Sequence, residues 1–281
     1  MTTETQRFNE AALGKWTEER RFEVTRERIS EYARATNDPI EAHLAGDVAP
    51  PVFAIVPVFE SLLAPALDVV PPEVLGRVLH GEQDFRFHRT LRPGDAVVAR
   101  ARMTGFEGLP NGTRACVYIE TRDEAGELVN EQYVTLFFRG FDDGRWIGEL
   151  SPDHRFDEAL RERGPVLDAT QRIDDDQTHR YSQASGDQMP IHLDEQVARD
   201  AGLPGIIAHG FCVLAFTSWA LVAGLAGADS GRLRRLAVRF SKPVLPGQEI
   251  RTRAWRSDAF YAFETDVEGT VVLRDGLAVL G

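Results

Sequence analysis

The chain is short of lysine, cysteine and methionine, and these shortages narrow what it does. Of 32 basic residues only Lys15 and Lys242 are lysines; the rest are arginine, the better fork for phosphate or carboxylate. Against 44 acidic residues they leave a formal net charge of −12 and a pI near 5.1. Such a surface repels phosphate backbones and excludes a nucleic-acid partner. The two cysteines, Cys116 and Cys212, each sit inside an apolar run. They read as buried small hydrophobes of a reducing compartment, not as a bridge or a metal pair. His80 and His88 have no Cys/His set around them, so no metal is expected. No glycine-rich phosphate loop follows a strand and no Gly-x-Ser-x-Gly elbow is present, so no bound cofactor is expected. The opening stretch MTTETQRFNEAALGKW lacks a basic-then-apolar leader, and the expected compartment is the cytoplasm.

At 281 residues the chain is long enough for one large domain or two small ones. Hydrophobic content of 43% and charge of 27% fit a soluble globular protein. One stretch stands apart: Ile206–Ala228 runs 23 residues without Asp, Glu, Lys or Arg. That is long enough to span a membrane. Yet His209, Gly210, Thr217, Ser218, Gly224 and Gly227 dilute it, and a helix apolar on all sides is also what a surrounding sheet requires. The expectation is a buried central helix and no membrane contact.

The chain reads as the same unit twice. Arg21–Val24 alternates as a strand, and Thr25 is a good N-cap for a helix reaching about Thr36. Val52–Leu67 is apolar but carries Pro57 and Glu60, so it reads as a short or kinked helix. Strands follow over Leu79–Arg102, broken at Arg92–Asp95, then at Ala115–Thr121 and Asn130–Arg139. The second pass opens with a strand at Val166–Ile173 and a helix capped by Asp174, with Gln177 as capping-box partner. Tyr181 follows Asp174 by seven residues, as Tyr32 follows Thr25. Asp187 to His192 spans five residues, as does Asp38 to His43. Phe87…Leu91-Arg92-Pro93-Gly94 matches Phe240…Val244-Leu245-Pro246-Gly247. Matches in the same order argue for an internal duplication. The expected fold class is α+β, each half one long central helix wrapped by an antiparallel sheet. The expected division is residues 1–145, a linker at 146–165, and residues 166–281.

The segment 181–210 carries the chemistry. It supplies Asp187 and His192, with Gly186 before them and Pro190 between, then His209-Gly210 at the head of the apolar run. This stretch resembles the hydratase motif of the MaoC-like dehydratases, the R-specific enoyl-CoA hydratases: Gly-Asp-x-Asn-Pro-hydrophobic-His, then His-Gly. It departs at one place, where Met189 stands for the motif's Asn. The resemblance covers nearly the whole chain and implies a double hot-dog fold, two hot dogs paired in one chain like a dimer. It implies reversible hydration of trans-2-enoyl-CoA, or of an acyl-carrier-protein thioester, to the (3R)-3-hydroxyacyl thioester. The implied catalytic residues are Asp187 and His192 on the water and Gly210 at the thioester oxygen. A further homodimer is left open.

Substrate-binding candidates are Arg235, Arg239 and Lys242, a basic stretch with the chemistry to meet CoA phosphates, and Phe53 in the N-terminal acyl-pocket segment. Each has a plainer reading, the arginines as a solvated strand face. In the N-terminal copy, Asp38 and His43 keep their spacing, but Pro50-Pro51 stands near the matching helix head. Proline donates no N–H, so that half reads as a degenerate site that shapes the acyl tunnel. Two alternatives remain open: a related lyase for branched or dicarboxylic acyl-CoA, and a non-catalytic acyl-CoA-binding or partner subunit.

Overall fold

The computed structural model describes residues 7–281. Residues 1–6 lie outside the described residues. The N-terminal half contains β1 (Arg20–Glu23), α1 (Arg26–Ala35), α2 (Glu41–Leu44), a 3-10 helix (Pro51–Ser61), α3 (Ala66–Val69) and α4 (Pro72–Leu75). It continues with β2 (Val78–Phe87), β3 (Ala96–Leu109), β4 (Gly112–Asp123), β5 (Leu128–Arg139) and β6 (Trp146–Gly148). The C-terminal half contains β7 (Leu167–Arg172), α5 (Gln177–Ser185), α6 (Glu195–Asp200) and α7 (Gly210–Leu225). Then come β8 (Leu233–Phe240), β9 (Glu249–Arg256), β10 (Tyr261–Val267) and β11 (Thr270–Leu280).

All eleven strands form one antiparallel sheet in the order β1-β3-β4-β5-β2-β8-β11-β10-β9-β7, with β6 on β3. The order reads the same from both ends about the β2–β8 pair, with β5 answering β11, β4 answering β10, β3 answering β9 and β1 answering β7. That is the duplication in space, and it makes the chain a double hot dog. At the join, Phe85 pairs with Leu236 and Asp84 with Ala237. The helices meet across the same pseudo-two-fold: Tyr32 and Tyr181, equivalent in the repeat, touch hydroxyl to hydroxyl at 3.4 Å. Gly94 and Gly247, the matching turn positions, both have positive φ, 92° and 86°.

The apolar run becomes α7. Phe211 to Ser218 and Ala220 to Val222 are buried, so the helix is covered on every side. Its one mid-helix hydroxyl pair is satisfied by the sheet: Thr217 Oγ1 bonds Thr265 Oγ1 at 2.8 Å, and Thr265 bonds Thr252 at 3.0 Å. Among the described residues no helix is long and apolar enough to cross a membrane.

Two expectations need correction. The N-terminal half has no long α-helix. Its central element is the 3-10 helix Pro51–Ser61 with Pro57 inside, where the missing N–H and the ring's clash with the preceding turn break α-helical bonding. The expected linker carries some structure of its own. Trp146–Gly148 pairs with β3, and residues Glu158–Arg163 form a 3-10 turn. At the start of α5 the capping-box bond is present, Asp174 N–H to Gln177 Oε1 at 3.1 Å, but the first helical residue comes later than expected, with Asp176 at the N-cap.

The centre of the sheet is tied by a buried ion pair. Arg235 Nη2 lies 2.7 Å from Asp84 Oδ2, with the Asp84 side chain 1% exposed and that of Arg235 21% exposed. Removing one partner strands the other charge where water reaches it poorly. Asp84→Ala is expected to destabilise the chain by about 3 kcal/mol, read as a lower denaturant midpoint at unchanged slope. A change under half a kcal/mol would show that the pair contributes nothing to the join.

Candidate active site

The acid and the imidazole are positioned by the turn that ends α5. Gly186 is the C-cap in left-handed conformation, φ 85°. The equivalent Asn37 is left-handed too, φ 48°, so the turn is common to both halves although the residue differs. Ser185 stabilises it, its hydroxyl donating to Tyr181 O at 2.8 Å and accepting from the Asp187 N–H at 3.2 Å. Asp187 Oδ1 then accepts the Met189 N–H at 3.0 Å. Pro190 starts the single 3-10 turn Pro190–His192 that brings the imidazole back to the acid. Met189, the departure from the motif, points outward and is 47% exposed.

His192 and Asp187 are both 7% exposed. His192 Nδ1 lies 2.8 Å from Ile207 O. A carbonyl only accepts, so Nδ1 carries the hydrogen and Nε2 keeps its lone pair. One side-chain nitrogen or oxygen from each of Asp187, His192 and His209 lies within 4.8 Å of the other two. Burial raises the Asp187 carboxyl above the ordinary carboxylate value and lowers the His192 imidazole. Both shifts favour the uncharged forms, so the two groups share a proton readily.

His209 packs against this pair. Its Nε2 donates to Asp187 O at 3.2 Å, and its ring stacks on His192 at 3.9 Å between centroids and tilts against Tyr181 at 4.9 Å. Burial, with the His192 imidazole beside it, pushes its pKa down to about 3. Asp187, His192 and His209 are metal-ligand types. However, two imidazoles stacked with planes only 27° apart do not aim both lone pairs at one ion about 2.1 Å away.

Gly210 is the first residue of α7, and His209, its N-cap, makes no side-chain cap bond. The first N–H groups of a helix have no partner inside it, so they face the site. A Cβ on Gly210 would meet the Phe240 ring at 3.1 Å. Phe240 in turn packs on His80 at 4.7 Å, and His80 on Phe211 at 4.8 Å. His80 comes from β2, so the N-terminal half contributes to this wall. Desolvation lowers its pKa to about 4. Sequence reading missed His80 in this role. The signal available was the Phe240 landmark of the repeat, which marks the strand facing the helix head.

The other candidates divide. Lys242 is exposed on the loop whose Val244 O accepts the Ala208 N–H at 2.7 Å, so it stays beside the helix head. Arg235 and Arg239 do not come to the site. They alternate with Phe240 on β8 and face the other side of the sheet. There Arg235 holds Asp84 and reaches Asp153 O at 3.2 Å, while Arg239 shares a polar cleft with Ser151 to Arg155. Phe53 is fully buried, edge-on to Tyr32 at 5.5 Å, and presents no face to a ligand. At the N-terminal helix head, Pro50 and Pro51 take the N-cap and N1 positions that His209 and Gly210 take in α7. The N–H that Gly210 offers is therefore missing there.

Residues 158–276 match the MaoC like domain, and residues 11–132 match the FAS1-like dehydratase domain region. The chain is 32% identical over 213 residues to 3-hydroxyacyl-thioester dehydratase Y of Mycobacterium tuberculosis, covering 71% of each. It is 27% identical over 202 residues to Enoyl-CoA hydratase 2, peroxisomal, of Arabidopsis thaliana, covering 68% of this chain and 64% of that one. A crystal structure of a MaoC-like dehydratase from Phytophthora capsici superposes with a TM-score of 0.82 at 22% identity, covering 95% of both chains. With its motif residues gathered at the head of α7 and a relative of this identity and coverage, the chain belongs to the MaoC-like dehydratase family.

Proposed function

We propose that the chain is a hydro-lyase that adds water reversibly to trans-2-enoyl-CoA, or to the corresponding carrier-protein thioester, giving the (3R)-3-hydroxyacyl thioester. One observation carries the reading: His192 presents a lone pair on Nε2 beside Asp187, at the uncapped head of α7. A water held between the two groups loses a proton to them as its oxygen adds to the β-carbon. Negative charge moves to the thioester oxygen, where the Gly210 N–H donates to it. Such a donor is worth roughly 10²–10³ in rate. The proton returns at the α-carbon, and dehydration is the same path reversed. The names of the relatives support both the substrate class and the reaction.

No cofactor has a step in this chemistry. We take the compartment to be the cytoplasm, which the two buried free thiols, Cys116 and Cys212, support. The functional unit is the intrachain pair of hot dogs, with association into a homodimer of whole chains compatible with it. A dicarboxylic acyl tail would need an arginine beside it. Arg235 and Arg239 are turned to the far face of the sheet, which favours an uncharged tail. A purely binding subunit would have no use for an acid and an imidazole buried together at a helix head.

Hydration of trans-2-butenoyl-CoA, followed as loss of the enoyl-thioester absorbance, tests the assignment. Asp187→Asn and His192→Gln are each expected to lower kcat/KM by about 10²–10⁴ with the fold intact by circular dichroism. Full activity in either variant would remove that residue from the chemistry. The pH profile is a second check. His192 works as a base in its neutral form, and burial lowers its pKa below the ordinary value of 6.5. The acid limb of kcat/KM is therefore expected to fall with a midpoint below pH 6.5; a midpoint above it would contradict the buried, carbonyl-bonded imidazole.

A further inference from the structure

The second acid–imidazole pair has a partner that the first lacks. His43 Nδ1 lies 2.7 Å from Asp38 Oδ2, and His43 Nε2 lies 2.6 Å from Ser230 Oγ. A carboxylate only accepts, so Nδ1 carries the hydrogen and the Nε2 lone pair receives the serine O–H. Asp38, His43 and Ser230 are 2%, 1% and 5% exposed. The serine comes from the other half of the chain, on the 3-10 turn Ser230–Arg232 that follows α7. Asp229 fixes that turn by accepting the Gly231 N–H at 2.9 Å. In the C-terminal half, His192 keeps its Nε2 for water. Here a protein hydroxyl is delivered to the equivalent nitrogen.

Ser230 also lines a cavity with Pro50, Pro51, Ala54, Leu91 and Asn130. Asn130 Oδ1 accepts from Gln132 Nε2 at 3.2 Å, and its amide nitrogen has no hydrogen-bond partner among the described residues. Arg234 stands exposed at the rim. The cavity is small, about 20 Å³, room for roughly one water-sized group.

We propose that Asp38, His43 and Ser230 form a nucleophilic serine site that takes small oxygen esters, the acyl carbonyl alone entering the cavity and the leaving group staying outside its rim at Arg234. Ser230 Oγ adds to the acyl carbonyl carbon while its proton passes to His43 Nε2, and the Asn130 amide donates to the carbonyl oxygen. The bond from that carbon to the leaving oxygen breaks, and His43 returns the proton to the departing alcohol. Water, giving its proton to His43, then cleaves the acyl-serine to the free acid and restores the hydroxyl. The step needs only the ester and water, and it does not rest on the hydratase reading.

The test uses the full chain and two probes: p-nitrophenyl acetate, followed as nitrophenolate release, and a fluorophosphonate, followed by intact mass and peptide mapping. The expected result is one phosphonyl adduct per chain, on Ser230, and nitrophenolate release that Ser230→Ala lowers by at least about 100-fold. Ser230→Cys, which keeps a nucleophile, is expected to regain acylation by the acetate ester. Unfolding midpoints of both variants separate loss of chemistry from loss of fold. An unlabelled, folded wild type, or an adduct on another residue, would overturn the proposal and leave the three residues as a polar tie between the halves.

Discussion

The constraint behind this structure is that α7 has no face that tolerates water. Its residues from Phe211 through Val222 are buried almost without interruption. One sheet cannot cover a helix on all sides, so β7 to β11 wrap it and the N-terminal half covers what remains. The mid-helix Thr217 hydroxyl is acceptable only because Thr252 and Thr265 answer it from the sheet. The Trp219 indole is satisfied across the halves, donating to Thr36 O at 3.0 Å. Burying the helix sideways leaves its N-terminal end as the place where unpaired N–H groups are offered. The chemistry sits at that end.

Duplication supplied two copies of this arrangement, and single residue types set them apart. Gly210 keeps an N–H at the head of α7 and leaves room for Phe240. Pro51 in the same place of the other half removes the N–H. The imidazoles differ in their partners as well. His192 spends Nδ1 on a backbone carbonyl, whereas His43 spends it on its own carboxylate and gives Nε2 to a serine. One inherited pair thus stands ready for water and the other is engaged with a side chain.

Much of this was legible in the sequence, because the spacings are fixed by local structure. The seven-residue steps from Thr25 to Tyr32 and from Asp174 to Tyr181, and the five-residue step from acid to imidazole, each lie within one turn-and-helix unit, so the repeat survived where side chains changed. The helix-head glycine could be read from a charge-free run beginning beside His209-Gly210. The face of a basic residue on β8 was not legible. Arg235 and Phe240 differ only in strand parity, and that parity acquires meaning only once β8 is known to lie over the head of α7. His80 was out of reach for a related reason. Its role depends on the β2–β8 join, a contact between residues more than a hundred positions apart in the chain. The N-terminal helix was half legible: Pro57 announced an interruption, but not a change to 3-10 geometry along the whole element.

The account rests on one thioester site per chain, at the head of α7, because only that helix head keeps its N–H. Titrating the folded chain calorimetrically with butanoyl-CoA, the saturated analogue that cannot be hydrated, tests this most directly. The account predicts one binding site per chain, abolished by Gly210→Val, whose side chain would press on Phe240. Two equivalent sites per chain, or binding unchanged in Gly210→Val, would contradict it.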